Sequence, residues 1–151
     1  MTAVLLVGVG RAPGKSALAA ALGRRLQQEG RRLGYYAPSF DGSSGALAEA
    51  ALIRQVLRLG EILAQLTPLV GAWPVAQNDA AAVAEQIEAG YAAVAAGKDV
   101  VLVEAPGSLG APDGDAAIAL LADRIRPHRS RPIFSLRNAR ILQRQGIAAP
   151  L

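Results

Sequence analysis

Gly8-Val9-Gly10-Arg11-Ala12-Pro13-Gly14-Lys15-Ser16 is the stretch whose reading decides the fold. It follows the apolar run Ala3-Val4-Leu5-Leu6-Val7 and precedes a helical pattern from Ala17 to Gln28. Strand, glycine loop and helix therefore come in the order that builds a phosphate-binding loop. In such a loop, backbone N–H groups and the helix N-terminus converge on phosphate oxygens. The lysine ammonium reaches the β- and γ-phosphates and the serine hydroxyl joins a Mg²⁺ shell. Lys15 is thus the candidate catalytic residue. The candidate nucleotide-binding set is Gly8, Gly10, Arg11, Ala12, Pro13, Gly14, Lys15, Ser16 and Ala17.

The spacing departs from the Walker A pattern G-x-x-x-x-G-K-[ST]. Counting back from Gly14 puts Val9 where the first glycine belongs, whereas counting from Gly8 gives a loop one residue longer. Gly10 supplies a second point where a positive φ carries no steric cost, and Pro13 stiffens the turn. A glycine-rich turn that binds nothing is the competing reading. Gly-Lys-Ser between a strand and a helix favours the phosphate site. Cation usage points the same way: arginine supplies fourteen of the sixteen cations, so one of only two lysines stands where a compact point charge is wanted.

A chain of 151 residues is about one domain and can bury a real core. Its 52% hydrophobic content is largely alanine, and no window approaches the ~18 to 20 unbroken apolar residues of a membrane span. The expectation is a soluble single domain over 1–151, with the first apolar run read as a strand and not as a signal peptide. Zero cysteines exclude disulfides and thiolate metal sites and agree with a cytoplasmic location.

The net charge of +4 is unevenly spread. Arg124, Arg126, Arg129, Arg131, Arg137, Arg140 and Arg144, with His128, face only Asp123 as counter-charge near the C-terminus. Such a segment suits phosphate, nucleic acid or an acidic surface, but no aromatic platform or nucleic-acid motif accompanies it. A solvated arginine-rich surface is the reading adopted, with nucleic acid not expected as a partner. His128 and Trp73 are assigned no role.

Strands and helical patterns alternate along the chain. The pattern predicts a helix over 15–29 with Leu18, Leu22 and Leu26 as its stripe, stopped by Gly30. A short strand over 32–37 runs into Pro38. A helix over 46–59 follows, with Leu52, Ile53, Val56 and Leu57 as its buried face and Gly60 as its stop. Residues 67–78 are loop-rich. Asn78 or Asp79 caps an alanine-rich helix over 80–96 that Gly97 ends. Val100-Val101-Leu102-Val103 is an uninterrupted apolar strand of the kind buried on both faces of a parallel sheet. A helix near 114–125, a weak strand near 132–136 and a last helix near 137–145 complete the chain. The fold class is α/β: a P-loop NTPase-like three-layer fold with a mainly parallel sheet.

Ligands of such sheets bind beyond the carboxyl ends of the strands. Glu104 is the first charge after the buried strand, well placed to support Mg²⁺ opposite the lysine. An arginine-paired strand end is its alternative. Asp41, in Ser39-Phe40-Asp41-Gly42-Ser43, is a second candidate metal ligand and also sits in an ordinary turn composition. Glu49 lies on the following helix and could face the site; an exposed helix glutamate is the reading adopted. The metal set is therefore Ser16, Glu104 and Asp41.

Three blocks resemble the dethiobiotin-synthetase-like P-loop proteins, including the N-terminal domain of phosphotransacetylase-related proteins. They are Val7 to Ser16, Leu26 to Pro38, and Gly97 to Glu104, and the resemblance covers about the first 110 residues. The family carries the longer glycine loop, which accounts for the spacing. The resemblance implies ATP and Mg²⁺ as cofactors and ligase-like or ATP-hydrolysing chemistry. Departures set limits on it. Where those enzymes place a lysine that holds the substrate carbamate, this chain has Ala37; the threonine and acid usual after the first loop glycine are Val9 and Gly10. The acid placed before the next helix has only Glu49 or Asp41 as substitutes, and beyond Gly110 the resemblance fades. An ATP-binding P-loop domain is the expected function, with a non-catalytic nucleotide-sensing or partner-binding module as the alternative. A homodimer is expected, because a sheet of about four strands leaves an edge that proteins usually cover.

Overall fold

The computed structural model describes residues 1–9, 14–39, 44–69, 79–110, 114–125 and 130–134. Strand β1 (Thr2–Val7) leads to helix α1 (Lys15–Gln28), β2 (Leu33–Tyr36), α2 (Ser44–Leu57), the single turn α3 (Leu63–Leu66), α4 (Ala80–Ala95), β3 (Val100–Glu104), α5 (Gly114–Ile125) and β4 (Ser130–Phe134). The four strands lie in the order β2-β3-β1-β4, every pair parallel. Ala3-Val4-Leu5-Leu6-Val7 and Val101-Leu102-Val103 are buried throughout, as expected of strands covered on both faces.

Strand alternation sorts those residues into two cores. Val4, Leu6, Leu33, Tyr35 and Leu102 pack with Ala19 of α1, Ile53 and Leu57 of α2, and Leu66 of α3. Ala3, Leu5, Val7, Tyr36, Val101 and Val103 pack with Val83, Ile87, Tyr91 and Val94 of α4 and Ala117, Ile118, Leu121 and Ile125 of α5. Helices on both faces of a parallel sheet make the three-layer α/β architecture. Tyr36 shows how the second core is tied: its ring meets Tyr91 edge-on at 6.0 Å, and its hydroxyl donates to the Ile87 carbonyl at 3.1 Å.

Several elements differ from the sequence reading. Helix α2 begins at Ser44 and ends at Leu57, and its buried residues are Ala50, Ile53 and Leu57; Leu52 and Val56 are exposed at 57% and 36%. The helix is apolar on more than one side, so its 3.6-residue pattern does not single out the buried face. Its stop is not Gly60 but Arg58, which holds φ 50° while Leu59 N–H donates to the Arg54 carbonyl. The expected glycine stops hold for α1 and α4, with Gly30 at φ 76° and Gly97 at φ 71°. In α1 the Leu18, Leu22 and Leu26 stripe only flanks the core, and Ala19 and Gly23 are the fully buried line. A Cβ at Gly23 would stand 2.8 Å from Leu57 and 2.9 Å from Leu33, so the missing side chain is what lets α1 and α2 approach. Asp79 occupies the N-cap of α4 without a side-chain cap bond, and Asn78 lies outside the described residues. Strand β4 runs two residues earlier than expected. The helix expected near 137–145, Trp73, His128 and the arginines at 126, 129, 137, 140 and 144 lie outside the described residues.

The lower end of the sheet, opposite the carboxyl ends, is closed by polar ties. Arg32 grips Asp99 at 2.8 Å, and that pairing holds the Asp99 carboxyl well below the usual carboxylate range. Lys98, the second lysine, pairs with Glu61 at 2.6 Å. Of the two lysines, only Lys15 stands at the carboxyl end.

Candidate functional site

Strand β3 lies directly beside β1, with Leu6 opposite Glu104 in the register. The chain leaves β1 through α1 toward β2 on one side, and leaves β3 through α5 toward β4 on the other. This reversal makes the carboxyl ends of β1 and β3 a topological switch point, where open parallel sheets bind ligands in a crevice. Gly8 and Val9, after β1, and residues 105–110, after β3, border it. They are stitched together: Val9 bridges Leu109, and Leu109 N–H donates to the Gly8 carbonyl at 2.8 Å.

Gly14 enters α1 as its N-cap at φ 69°, ψ 25°, a left-handed conformation that glycine takes without a Cβ clash. Leu18 N–H donates to the Gly14 carbonyl at 3.0 Å. The N–H groups of Lys15, Ser16 and Ala17 precede that first intrahelical bond and point out of the helix end with its positive dipole. Lys15 Nζ donates to the Gly107 carbonyl at 2.9 Å, across the crevice. Gly107 itself holds φ 63°.

Ser16 Oγ stands 2.9 Å from Glu104 Oε1 and 3.3 Å from Glu49 Oε2. A hydroxyl has one proton to donate, so the two carboxylates share a single donor and face one another across it. That is a cation-seeking arrangement. Glu104 is 7% exposed, and burial raises its pKa. Hydrogen bonds from Tyr35 and Ser16 and the charge of Lys15 work against the rise, and Glu49 adds to it. Tyr35 OH donates to Glu104 Oε2 at 2.8 Å in a fully buried contact. Burial, then the Glu104 charge, raise the Tyr35 pKa well beyond its ordinary value, so the phenol stays a donor.

The structure thus brings together Gly8, Gly14, Lys15, Ser16, Ala17 and Glu104. Gly10, Arg11, Ala12, Pro13 and Asp41 lie outside the described residues. Glu49 is exposed and also faces Ser16, so both sequence readings of it hold at once. Tyr35 lies at a strand end, where site residues are expected, but the sequence assigns it no role. The signal was present in principle: Tyr35 pairs with Leu102, so in a parallel sheet Glu104 is two residues farther along the same face. Finding it required knowing that β2 and β3 are neighbours.

Residues 2–125 match the model of a protein family described as AAA domain. The match runs from the start of β1 to the end of α5 and takes in every residue of the crevice. No curated protein matches the chain.

Proposed function

The chain belongs to this AAA domain family, a P-loop NTPase-type family, and on that premise we propose that it binds ATP with Mg²⁺ in the β1–β3 crevice. One observation carries the reading: Lys15 and Ser16, at the first turn of α1, reach the loop and the carboxylate that end the neighbouring strand β3. Lys15 would exchange the Gly107 carbonyl for β- and γ-phosphate oxygens, a charge-assisted contact in place of a neutral acceptor. The Gly14–Ala17 N–H groups would take the remaining phosphate oxygens.

The donor set fits Mg²⁺. This ion usually takes one or two carboxylates and leaves its other positions to phosphate oxygens and water. Ser16 Oγ, Glu104 and Glu49 supply that partial set, with Asp41 a further proposed ligand; among the described residues no three His, Cys, Asp or Glu side chains form an all-protein cage. When bound, the ion neutralises phosphate charge and polarises the transferring phosphoryl group. The chain's own residues position the triphosphate and hold the ligand side chains in place.

A second reading, a nucleotide-sensing module without ligase chemistry, is favoured by Ala37. The segment after β2 holds no cation there: Ala37 packs against the α1–α2 core, and its N–H donates to the Leu66 carbonyl at 2.7 Å. A carbamate developing at that point would lack a counter-charge. Dethiobiotin-synthetase-like binding of ATP therefore stands on firmer chemistry than dethiobiotin synthesis. The proposal extends to one domain over 1–151 that acts as a homodimer in the cytoplasm.

Thermal unfolding tests the reading. ATP with Mg²⁺ at about 100 times its dissociation constant should add about 2.7 kcal/mol, or roughly 5 to 10 °C in Tm for a chain of this size. ATP with a chelator should add distinctly less. Equal melting curves with and without Mg·ATP would contradict it.

A further inference from the structure

Tyr35 and Glu104 are joined by a contact that the phosphate chemistry does not itself require. Glu104 has two carboxylate oxygens, and the structure gives each a separate partner. Oε1 faces the Ser16 hydroxyl at 2.9 Å, and Oε2 accepts from Tyr35 OH at 2.8 Å. Without Tyr35 the carboxylate could rotate about its last torsion, which is broad and roughly two-fold for glutamate. With one oxygen bound to a phenol set in the core, the other is aimed at the crevice.

Tyr35 is well suited to that task. It is 1% exposed and packs within the core that α1 and α2 cover, so its ring is held from all sides. Its strand is bonded to β3 through the Tyr35–Leu102 register, which fixes the distance between the hydroxyl and the end of β3. The neighbouring Tyr36 points into the other core and bonds a helix carbonyl. Two adjacent tyrosines of one strand thus serve different ends, and only the first touches a polar side chain of the crevice.

We propose that Tyr35 is a positioning residue of this site, whose hydroxyl occupies Glu104 Oε2 so that Oε1 stays directed at Ser16 and the bound cation. The inference rests on the Mg·ATP reading above. Partners that orient metal-ligating carboxylates typically contribute a factor of about 10 to 100 in metal affinity. The phosphate contacts of Lys15 and of the α1 N-terminus do not pass through Tyr35.

The test is Tyr35→Phe, which keeps the ring and removes the donor. Calorimetric titrations with ATP are run in Mg²⁺ and in chelator, and the Mg²⁺ concentration for half-maximal enhancement of ATP binding is measured. Tyr35→Phe should raise that concentration about tenfold or more while leaving ATP affinity in chelator within about twofold of wild type. An unchanged Mg²⁺ requirement, or an equal loss of affinity with and without the ion, would overturn the positioning role. Tyr35→p-aminophenylalanine supplies a weaker donor of the same shape. It should give an intermediate Mg²⁺ requirement, and it takes the place of the phenylalanine variant if that chain does not fold; a requirement equal to wild type would then count against the proposal. Failure of wild type to bind ATP in either condition would remove the Mg·ATP reading itself. Normal wild-type binding with indifferent variants removes only the role of Tyr35.

Discussion

Glu104 concentrates the electrostatics of the site in one side chain. Its carboxyl is buried, and burial holds its pKa above the ordinary value despite donors from Tyr35 and Ser16 and the nearby Lys15 charge. A carboxyl whose folded pKa is raised contributes its full share of stability below the ordinary glutamate value and loses it as pH rises through the raised folded value. Glu104→Gln can accept from Tyr35 and donate to Ser16 without that charge. In metal-free buffer the variant should melt above wild type at pH 7 to 8, and the difference should close toward pH 4. It should also lose the Mg²⁺-dependent part of ATP binding. A variant melting below wild type at pH 7 would show that the ionised carboxylate is net stabilising. Ser16→Ala should give a smaller loss than Lys15→Ala, confined to titrations with Mg²⁺, because its hydroxyl acts through the ion.

The elements hold the site by close approaches that small residues permit. A Cβ at Gly114, the first residue of α5, would overlap the Ser108 carbonyl, a backbone atom that cannot turn aside. Gly114→Ala should therefore destabilise by about 1 to 3 kcal/mol and, by shifting the loop that carries Gly107, also weaken ATP binding; calorimetry and a melting curve read both. Arg58 is the converse case, since an arginine holds the left-handed end of α2 where glycine would be relaxed. Arg58→Gly should stabilise by about 0.5 to 1 kcal/mol, as read by chemical denaturation. These residues also show what the sequence made legible. The apolar runs of β1 and β3 and the glycine stops at 30 and 97 are local signals, and they placed their elements well. The buried face of α2 was not local information: Leu52 and Val56 fit a helical stripe as well as Ala50, Ile53 and Leu57, and the packing of α2 on the sheet and on α1, where Leu57 meets Gly23, selects between them. In the crevice, Lys15, Ser16 and Glu104 were legible because a loop motif and a strand end mark them. Tyr35 was not, because its role depends on how β2 packs beside β3; Glu49 had two readings, an exposed helix residue or one facing the site, and the packing of α2 lets it be both.

At the scale of the whole molecule, the described sheet ends at β2 on one side and β4 on the other. Leu47, Leu52, Ile62 and Leu69 are exposed, so apolar surface remains along the α2–α3 side. Association into a homodimer is the expected consequence, and light scattering at tens of micromolar should give twice the chain mass; a monomer with and without nucleotide would contradict it. The same molecule incubated with Mg·ATP and the diamine from which the resembled enzymes make dethiobiotin should release no dethiobiotin, because Ala37 offers no cation to the carbamate; robust product would show that another residue supplies one. The central claim is that the loop between β1 and α1 holds a triphosphate, and calorimetric titration of Mg·ATP into wild type and Lys15→Ala tests it most directly. Lys15 opens a helix where alanine is a good helix former, so the variant should fold normally, as circular dichroism will show. Wild type should bind one ATP per chain, and Lys15→Ala should bind it about tenfold to a hundredfold more weakly, the loss expected for one charge-assisted contact. Equal affinity in the two proteins would contradict the assignment and reduce the glycine-rich stretch to a turn.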